Sequence, residues 1–132
     1  MTTEPAVPED RKYTPTHEWV KTEGDELVIG ITDHAQSELT DVVFVDLPPI
    51  GRETTALASV LVIESVKTVA DVYAPAAGRI SQVNTELKTH PELINQDPYG
   101  KGWIFRLKPS APPDLSGLLD AAGYRAAVER AV

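Results

Sequence analysis

The chain contains no cysteine. Disulfide scaffolds, thiolate metal centres and cysteine nucleophiles are therefore excluded. Positive charge is scarce: 12 Lys and Arg stand against 20 Asp and Glu, a formal net charge of −8. Nucleic acid or an anionic membrane would want a basic face, so neither is expected as a partner. The acidic surface either meets partner proteins or serves solubility alone. No apolar stretch is long and uncharged enough to span a bilayer; the best candidate, residues 57–74, is interrupted by Glu64, Lys67 and Asp71. There is no Gly-rich phosphate loop and no G-x-S-x-G nucleophile motif, and nothing resembles a complete catalytic apparatus.

The N-terminus lacks the apolar core of a signal peptide and the arginines of a transit peptide, which leaves a cytoplasmic, bacterial setting as the expectation. Residues 1–11 are Pro-rich and carry Glu4, Glu9 and Asp10 before the first base, Arg11; they read as a flexible tail. The remaining span, 12–132, is expected to be one domain, and 132 residues can bury a substantial core.

What is present reads mainly as β-structure. Strands are expected at Trp19–Lys21 and Glu26–Ile31 around a turn at Glu23–Asp25, then in "DVVFVDLPPIG", "RISQVN" and "GWIFRLKP". "TDHAQSEL" predicts a short helix capped by Thr32 or Asp33, with Gln36 placed three residues after Asp33 as in a capping box. "THPELINQDPYGKG" reads as irregular with one helical turn. Residues 114–132 close the chain as a helix, with Asp114 as its cap and Gly123 as a break. Many short strands with turn signals between them predict an antiparallel sandwich or flattened barrel with that helix packed outside. Trp19, Trp103, Phe44 and Phe105 lie in strand-like segments and are expected in the core.

The span Leu57–Ala74 contains no Gly, Pro or Asn and is rich in β-branched residues. It is too long for one strand, whose usual limit is about ten residues, so it must fold back. Its only polar cluster is Glu64, Ser65 and Lys67. A turn at Val66-Lys67 pairs Ser65 with Thr68 and Glu64 with Val69. Val-Lys is poor chemistry for a tight hairpin. A local rule broken at one place points to a functional constraint there, although a solvated lysine on a bend is the plain alternative. His34 and Glu38 stand at i, i+4 and could seat a metal, but two ligands without a third leave a surface-paired histidine as the simpler reading.

A lysine at a hairpin apex, followed by "PAAG", resembles the swinging-arm domains that carry lipoyl or biotinyl groups. "ESVK" with "DVYAPAAGRISQVN" is similar to the glycine cleavage system H protein family. So are "HEWV", "GITDHAQ", "VVFVDLP", "PELINQDPYGKGW" and the closing "LL" helix, in the right order from about Tyr13 to Val132. The resemblance implies a lipoyl-type sandwich and a carrier that is not itself an enzyme. It implies lipoate in amide linkage to Lys67. Glu64 is the neighbour expected to be read by the lipoate ligase or lipoyl/octanoyl transferase, with a solvated charge at the strand end as the alternative. It also implies a shuttle, expected as a monomer, that takes the aminomethyl group of glycine from the P protein to the T protein and electrons to the L protein. The loaded arm is expected to fold into a cleft on its own carrier at Thr16, Glu18 and Asp71, with Glu38 at a position that varies to histidine. A lipoyl relay to other complexes, and an unmodified interaction module of the same fold, are the alternatives. The chain departs from the family in carrying Thr40 where relatives usually have Gly. "TTALASVLV" also lacks the glycines often found before the carrier hairpin.

Overall fold

The computed structural model describes residues 6–113 and 115–130. Among the described residues nine strands form two antiparallel sheets. The strands are β1 (Lys12–Tyr13), β2 (Glu18–Glu23), β3 (Glu26–Ile31), β4 (Val42–Val45), β5 (Glu53–Thr54), β6 (Ser59–Ser65), β7 (Val69–Tyr73), β8 (Gly78–Val83) and β9 (Phe105–Pro109). One sheet has the order β1-β2-β3-β9-β8-β5 and the other β4-β6-β7. Each sheet keeps its own edges, so the architecture is a sandwich and not a closed barrel.

The core follows from strand alternation. Leu27, Ile29 and Ile31 of β3 join Leu61, Ile63, Val72, Ile80, Phe105 and Leu107 in the main cluster between the sheets. Val28, on the opposite face of β3, joins a second cluster with Tyr13, Trp19, Ala121 and Tyr124. Both faces of β3 are thus covered, which is why "LVIGI" is uninterrupted by a charge. Gly30 pairs with Trp19 across β2 and β3, and a Cβ at position 30 would stand 2.7 Å from the indole ring. Only glycine lets that ring lie flat on the sheet.

The short helix α1 (Asp33–Leu39) is capped by Thr32, whose hydroxyl accepts from Ala35 N at 3.1 Å. Gln36 does not close a capping box; its side-chain amide donates to Asp33 Oδ1 at 2.7 Å. A 3-10 turn (Thr85–Lys88) and the short helix α2 (Leu93–Gln96) occupy the stretch between β8 and β9.

Three expectations are corrected. Residues 6–11 are not a free tail. Val7 is buried, Tyr99 Oη donates to Ala6 O at 2.6 Å, Tyr13 Oη to Pro8 O at 2.5 Å, and Arg125 to Val7 O at 3.0 Å. Arg11 lies over the Trp19 ring, 4.7 Å from its centroid. Residues 1–5 lie outside the described residues.

Among the described residues the closing helix α3 spans Ala121–Arg130, so it begins at Ala121 and not near residue 114. Residues 116–118 turn, with Leu118 N donating to Leu115 O at 3.0 Å, and Leu119 is held in a β-bridge with Tyr13, so the backbone just before Asp120 is not helical. Asp120 then caps the helix by accepting from Gly123 N at 2.8 Å, so Gly123 sits in its first turn and breaks nothing. The expected cap, Asp114, lies outside the described residues. Leu115 and Leu118 pack on the main cluster, and Leu119 and Val128 on the second.

Phe44 is the third correction. Trp19 and Phe105 are buried as expected, but Phe44 is 50% exposed. A register shift between Val42 and Phe44, where β4 pairs with β6, turns it outward.

Candidate functional site

Residues 57–74 fold back as a hairpin. Glu64 pairs with Val69, and Ser65 N donates to Thr68 O at 2.8 Å, so Val66 and Lys67 form the tip. The poor turn chemistry of Val-Lys has a local remedy. Ser65 Oγ accepts from Lys67 N at 3.1 Å and from Thr68 N at 3.0 Å, tying the turn to its own first residue. Val66 N donates to Asp41 O at 3.0 Å and fastens the tip to the segment before β4. The lysine is therefore presented by a doubly anchored turn. Among the described residues its amine reaches only Glu38 O, at 3.4 Å, and the residue is exposed. The sequence placed Ser65 in the polar cluster and opposite Thr68, but gave its side chain no role. The signal was there: a serine two residues before the apex residue is the pattern of a side chain capping a turn.

Beside the tip lies a cleft of about 190 Å³ between the loop before β2, helix α1 and strand β7. Ile31, Leu39, Ile63 and Val72 supply its apolar floor, while Thr16, Glu18, His34 and Glu38 supply polar groups. Four sequence candidates, Thr16, Glu18, Glu38 and Asp71, thus border one cavity. Lys67 stands at its end through the contact with Glu38 O. Glu64 is not part of the cleft. It lies mid-sheet between Phe44 and Val69 on the outward face.

Glu18 is 1% exposed. Its Oε1 accepts from the hydroxyls of Thr14 and, at 2.6 Å, Thr16. Its Oε2 accepts from Tyr73 N at 3.3 Å. Backbone groups of β7 alternate: Thr68 O and Ala74 N point toward the β6 side, so Tyr73 N points to the open edge. Glu18 thus joins the N-terminal loop of one sheet to the edge strand of the other. Burial pushes its carboxyl above the ordinary glutamate range, and the threonine and Tyr73 donors pull it back in part. A carboxylate offers about four acceptor positions, so three donors leave room for one more on Oε2.

Asp71 borders the cleft, yet its Oδ1 accepts from Ser59 Oγ at 2.7 Å. Pairing of Asp71 with Val62 puts it on the outward face, opposite Ala70 and Val72. Its carboxylate is therefore less directly aimed at the cleft than that of Glu18.

The histidines form an unforeseen group. The rings of His17 and His34 are 4.9 Å apart, and His17 Nδ1 meets Tyr124 Oη at 2.7 Å. Tyr124 Oη also meets Thr32 Oγ1 at 2.7 Å, linking α3 to the cap of α1. Burial, with the nearby His34, holds the His17 pKa below its ordinary value. Burial pushes the Tyr124 phenol up to about 12. His34 Nε2 and Glu38 Oε1 are 4.0 Å apart, a pair that is charged only when His34 is protonated. Among the described residues no three His, Cys, Asp or Glu side chains cluster as metal ligands.

A buried acid beside an apolar trough, with an anchored lysine at its end, is a geometry that can be set against known proteins. The family model described as glycine cleavage H-protein matches residues 11–131. The chain belongs to the glycine cleavage H-protein family. It is 57% identical over 123 residues to the glycine cleavage system H protein of Thermus thermophilus, covering 93% of this chain and 96% of that one. It is 55% identical over 120 residues to the H protein of Symbiobacterium thermophilum, covering 91% and 94%. The crystal structure of a glycine cleavage system H protein from Mycobacterium marinum superposes with a TM-score of 0.83 at 40% identity, over 96% of this chain and all of that one. H proteins are the lipoyl carriers of their system. They are carrier subunits that work with the system's other proteins.

Two departures from the family now have a structural measure. Thr40, where the family resemblance leads to the expectation of Gly, has φ 64° and ψ −149°. Leu57, in the segment lacking the usual glycines, has φ 67° and is 77% exposed. Both hold a side chain where glycine is the favoured residue.

Proposed function

We propose that this chain is the lipoyl carrier of a glycine cleavage system, acylated on Lys67 and working in the cytoplasm with three enzymes: the P, T and L proteins. The observation that supports this best is the tip itself. Ser65 and Asp41 brace the backbone on both sides of Lys67 while its amine stays accessible. The residues present fit a lipoyl group. An exposed amine can form the amide, and an apolar trough with a buried acid lies beside it. Lipoate joined to Lys67 would supply a disulfide that takes up the aminomethyl group and electrons and passes each on.

The protein's own contribution is presentation and shelter. A rigid turn lets one lysine visit several partners, because a tether raises the effective concentration at whichever enzyme is docked. Attachment removes the lysine charge and takes the net charge from −8 to about −9. In the cleft, Glu18 offers its remaining acceptor position to a cationic end group, and Thr16 fixes that carboxylate. Opposite charges at 4 Å attract by about 1 kcal/mol in water and about 4 near a protein surface. Ordering a long side chain costs roughly 0.5–1.5 kcal/mol, and desolvation subtracts further. The net hold is modest, enough to shelter a group and weak enough for a partner to reverse.

Intact mass tests the reading. Incubation with a lipoate ligase and activated lipoate should add one lipoyl mass to the wild type and none to Lys67→Arg. A lipoyl mass on Lys67→Arg, or none on the wild type, would overturn it.

A further inference from the structure

Val43, Phe44, Val66 and Val69 are 53%, 50%, 68% and 58% exposed. Among the described residues they are four of the six large hydrophobic residues that stand out at the surface; the other two are Ile50 and Leu57. All four gather around one place. Phe44 pairs with Glu64 and Glu64 with Val69, so the three form a row across the outward face of β4-β6-β7. Val66 occupies the tip beside Lys67. The register shift between Val42 and Phe44 exposes two consecutive apolar residues, where regular alternation would expose only one. Val42 and Val45 on either side remain buried.

The charge around this patch has one sign. Strands β4, β6 and β7 carry Glu64 and Asp71 and no basic residue, and Asp41 and Asp46 flank β4. Lys67 is the nearest base in sequence, and it is the group to be acylated. A partner that covers this face must offer an apolar surface with basic side chains within it and around it.

We infer that the outward face of β4-β6-β7 is the docking surface for the enzyme that attaches lipoate, with Val43, Phe44, Val66 and Val69 as its apolar contacts, Glu64 as an acidic group between Phe44 and Val69, and Asp41 and Asp71 as acids beside them. The inference rests on the assignment of Lys67 above. The occupant follows from reach. Before modification the lysine amine itself must enter the enzyme's acyl site, attack the activated carbonyl, lose a proton and release the leaving group. That enzyme must therefore cover the ground directly beside the turn. After modification the reacting sulfurs lie at the end of a long arm, and other enzymes need not press on this face. An exposed apolar patch next to a modification site marks such an interface. Centrally placed aromatic anchors carry most of the energy in interfaces of this kind.

The test measures the rate of lipoylation by intact mass with catalytic amounts of lipoate ligase. The variants are Phe44→Ser, Val66→Ser and Val69→Thr, the last chosen to preserve strand propensity. Phe44→Ser is expected to lower kcat/KM by about tenfold, the loss of one interface anchor. The other two should lower it by a smaller factor, with thermal midpoints near that of the wild type. Each variant, lipoylated to completion with excess ligase, should be reduced by the L protein at the wild-type rate. Unchanged lipoylation kinetics in all three folded variants would overturn the inference. So would an equal loss in the L-protein reaction, which would make the patch a general contact surface. Failure of the wild type to gain a lipoyl mass would instead overturn the assignment of Lys67.

Discussion

Replacing Thr40 with glycine should stabilise this protein. Thr40 closes α1 with φ 64° and ψ −149°, at the margin of a region that is essentially reserved for glycine. A β-branched residue is the least suited to it. Holding a residue there costs roughly 1–3 kcal/mol, and the surroundings must over-determine it. Asn95 does so. Its amide donates to Thr40 O at 2.7 Å and Gln36 Oε1 at 3.0 Å, and its carbonyl accepts from Val42 N at 2.9 Å. Glycine relieves the strain but returns roughly 0.5–1 kcal/mol of backbone freedom to the unfolded chain. The lost hydroxyl bond to Leu39 O is local and only partly buried, so it subtracts at most about 0.5 kcal/mol. The balance is a gain of about 1 kcal/mol, a rise in Tm of about 3–5 °C for a chain of this size. Thermal and urea unfolding would measure it, with Thr40→Ala as the control. Alanine keeps a Cβ and should gain little. Asn95→Ala should also cost less in the Thr40→Gly background, since there is less strain to hold. A Thr40→Gly protein no more stable than wild type, or an equal gain in Thr40→Ala, would refute the strain argument.

Two further outcomes are expected. Glu18→Gln should shorten the life of the aminomethyl group on the loaded carrier more than Asp71→Asn does, because Ser59 already occupies the Asp71 carboxylate on the outward face. Both should still be lipoylated, and decay of each folded variant at the wild-type rate would remove the carboxylates from the sheltering role. His17 gives a pH dependence: its folded pKa lies below the ordinary 6.5, so the fold favours the neutral ring. Stability contributed above pH 6.5 is then lost as pH falls below it. His17→Asn, which tolerates the positive φ of 73° at this position, should flatten the slope of unfolding free energy between pH 7 and 5. An unchanged slope would place the acid sensitivity elsewhere.

The carrier hairpin was legible in the sequence because its cause is local. A span of 18 residues without a breaker exceeds the length of a strand, and one polar cluster in it marks the only reasonable place to turn. The register that follows, Glu64 opposite Val69, is the one observed. Strand β3 was bounded correctly at Glu26–Ile31, since its turn and its helix cap both lie within a few residues. Family motifs singled out Lys67 and four cleft candidates by number, and those four, Thr16, Glu18, Glu38 and Asp71, border one cavity. They did not say what Glu18 touches.

Tertiary structure decided the rest, through partners distant in sequence. Residues 6–11 have the composition of a tail, yet Ala6 and Val7 find hydrogen-bond partners 93 and 118 residues away. Local pattern cannot anticipate satisfaction from that range. The helix expected from residue 114 begins at Ala121 because the bridge between Leu119 and Tyr13 claims the preceding backbone. Phe44 has the hydrophobicity of a core residue, and a register shift that no propensity encodes turns it to solvent. Glu18 is the sharpest case. The sequence supplies a carboxylate beside two threonines. Only the packing of the two sheets brings it to the open edge of β7, 55 residues on, where a backbone amide had no strand to pair with.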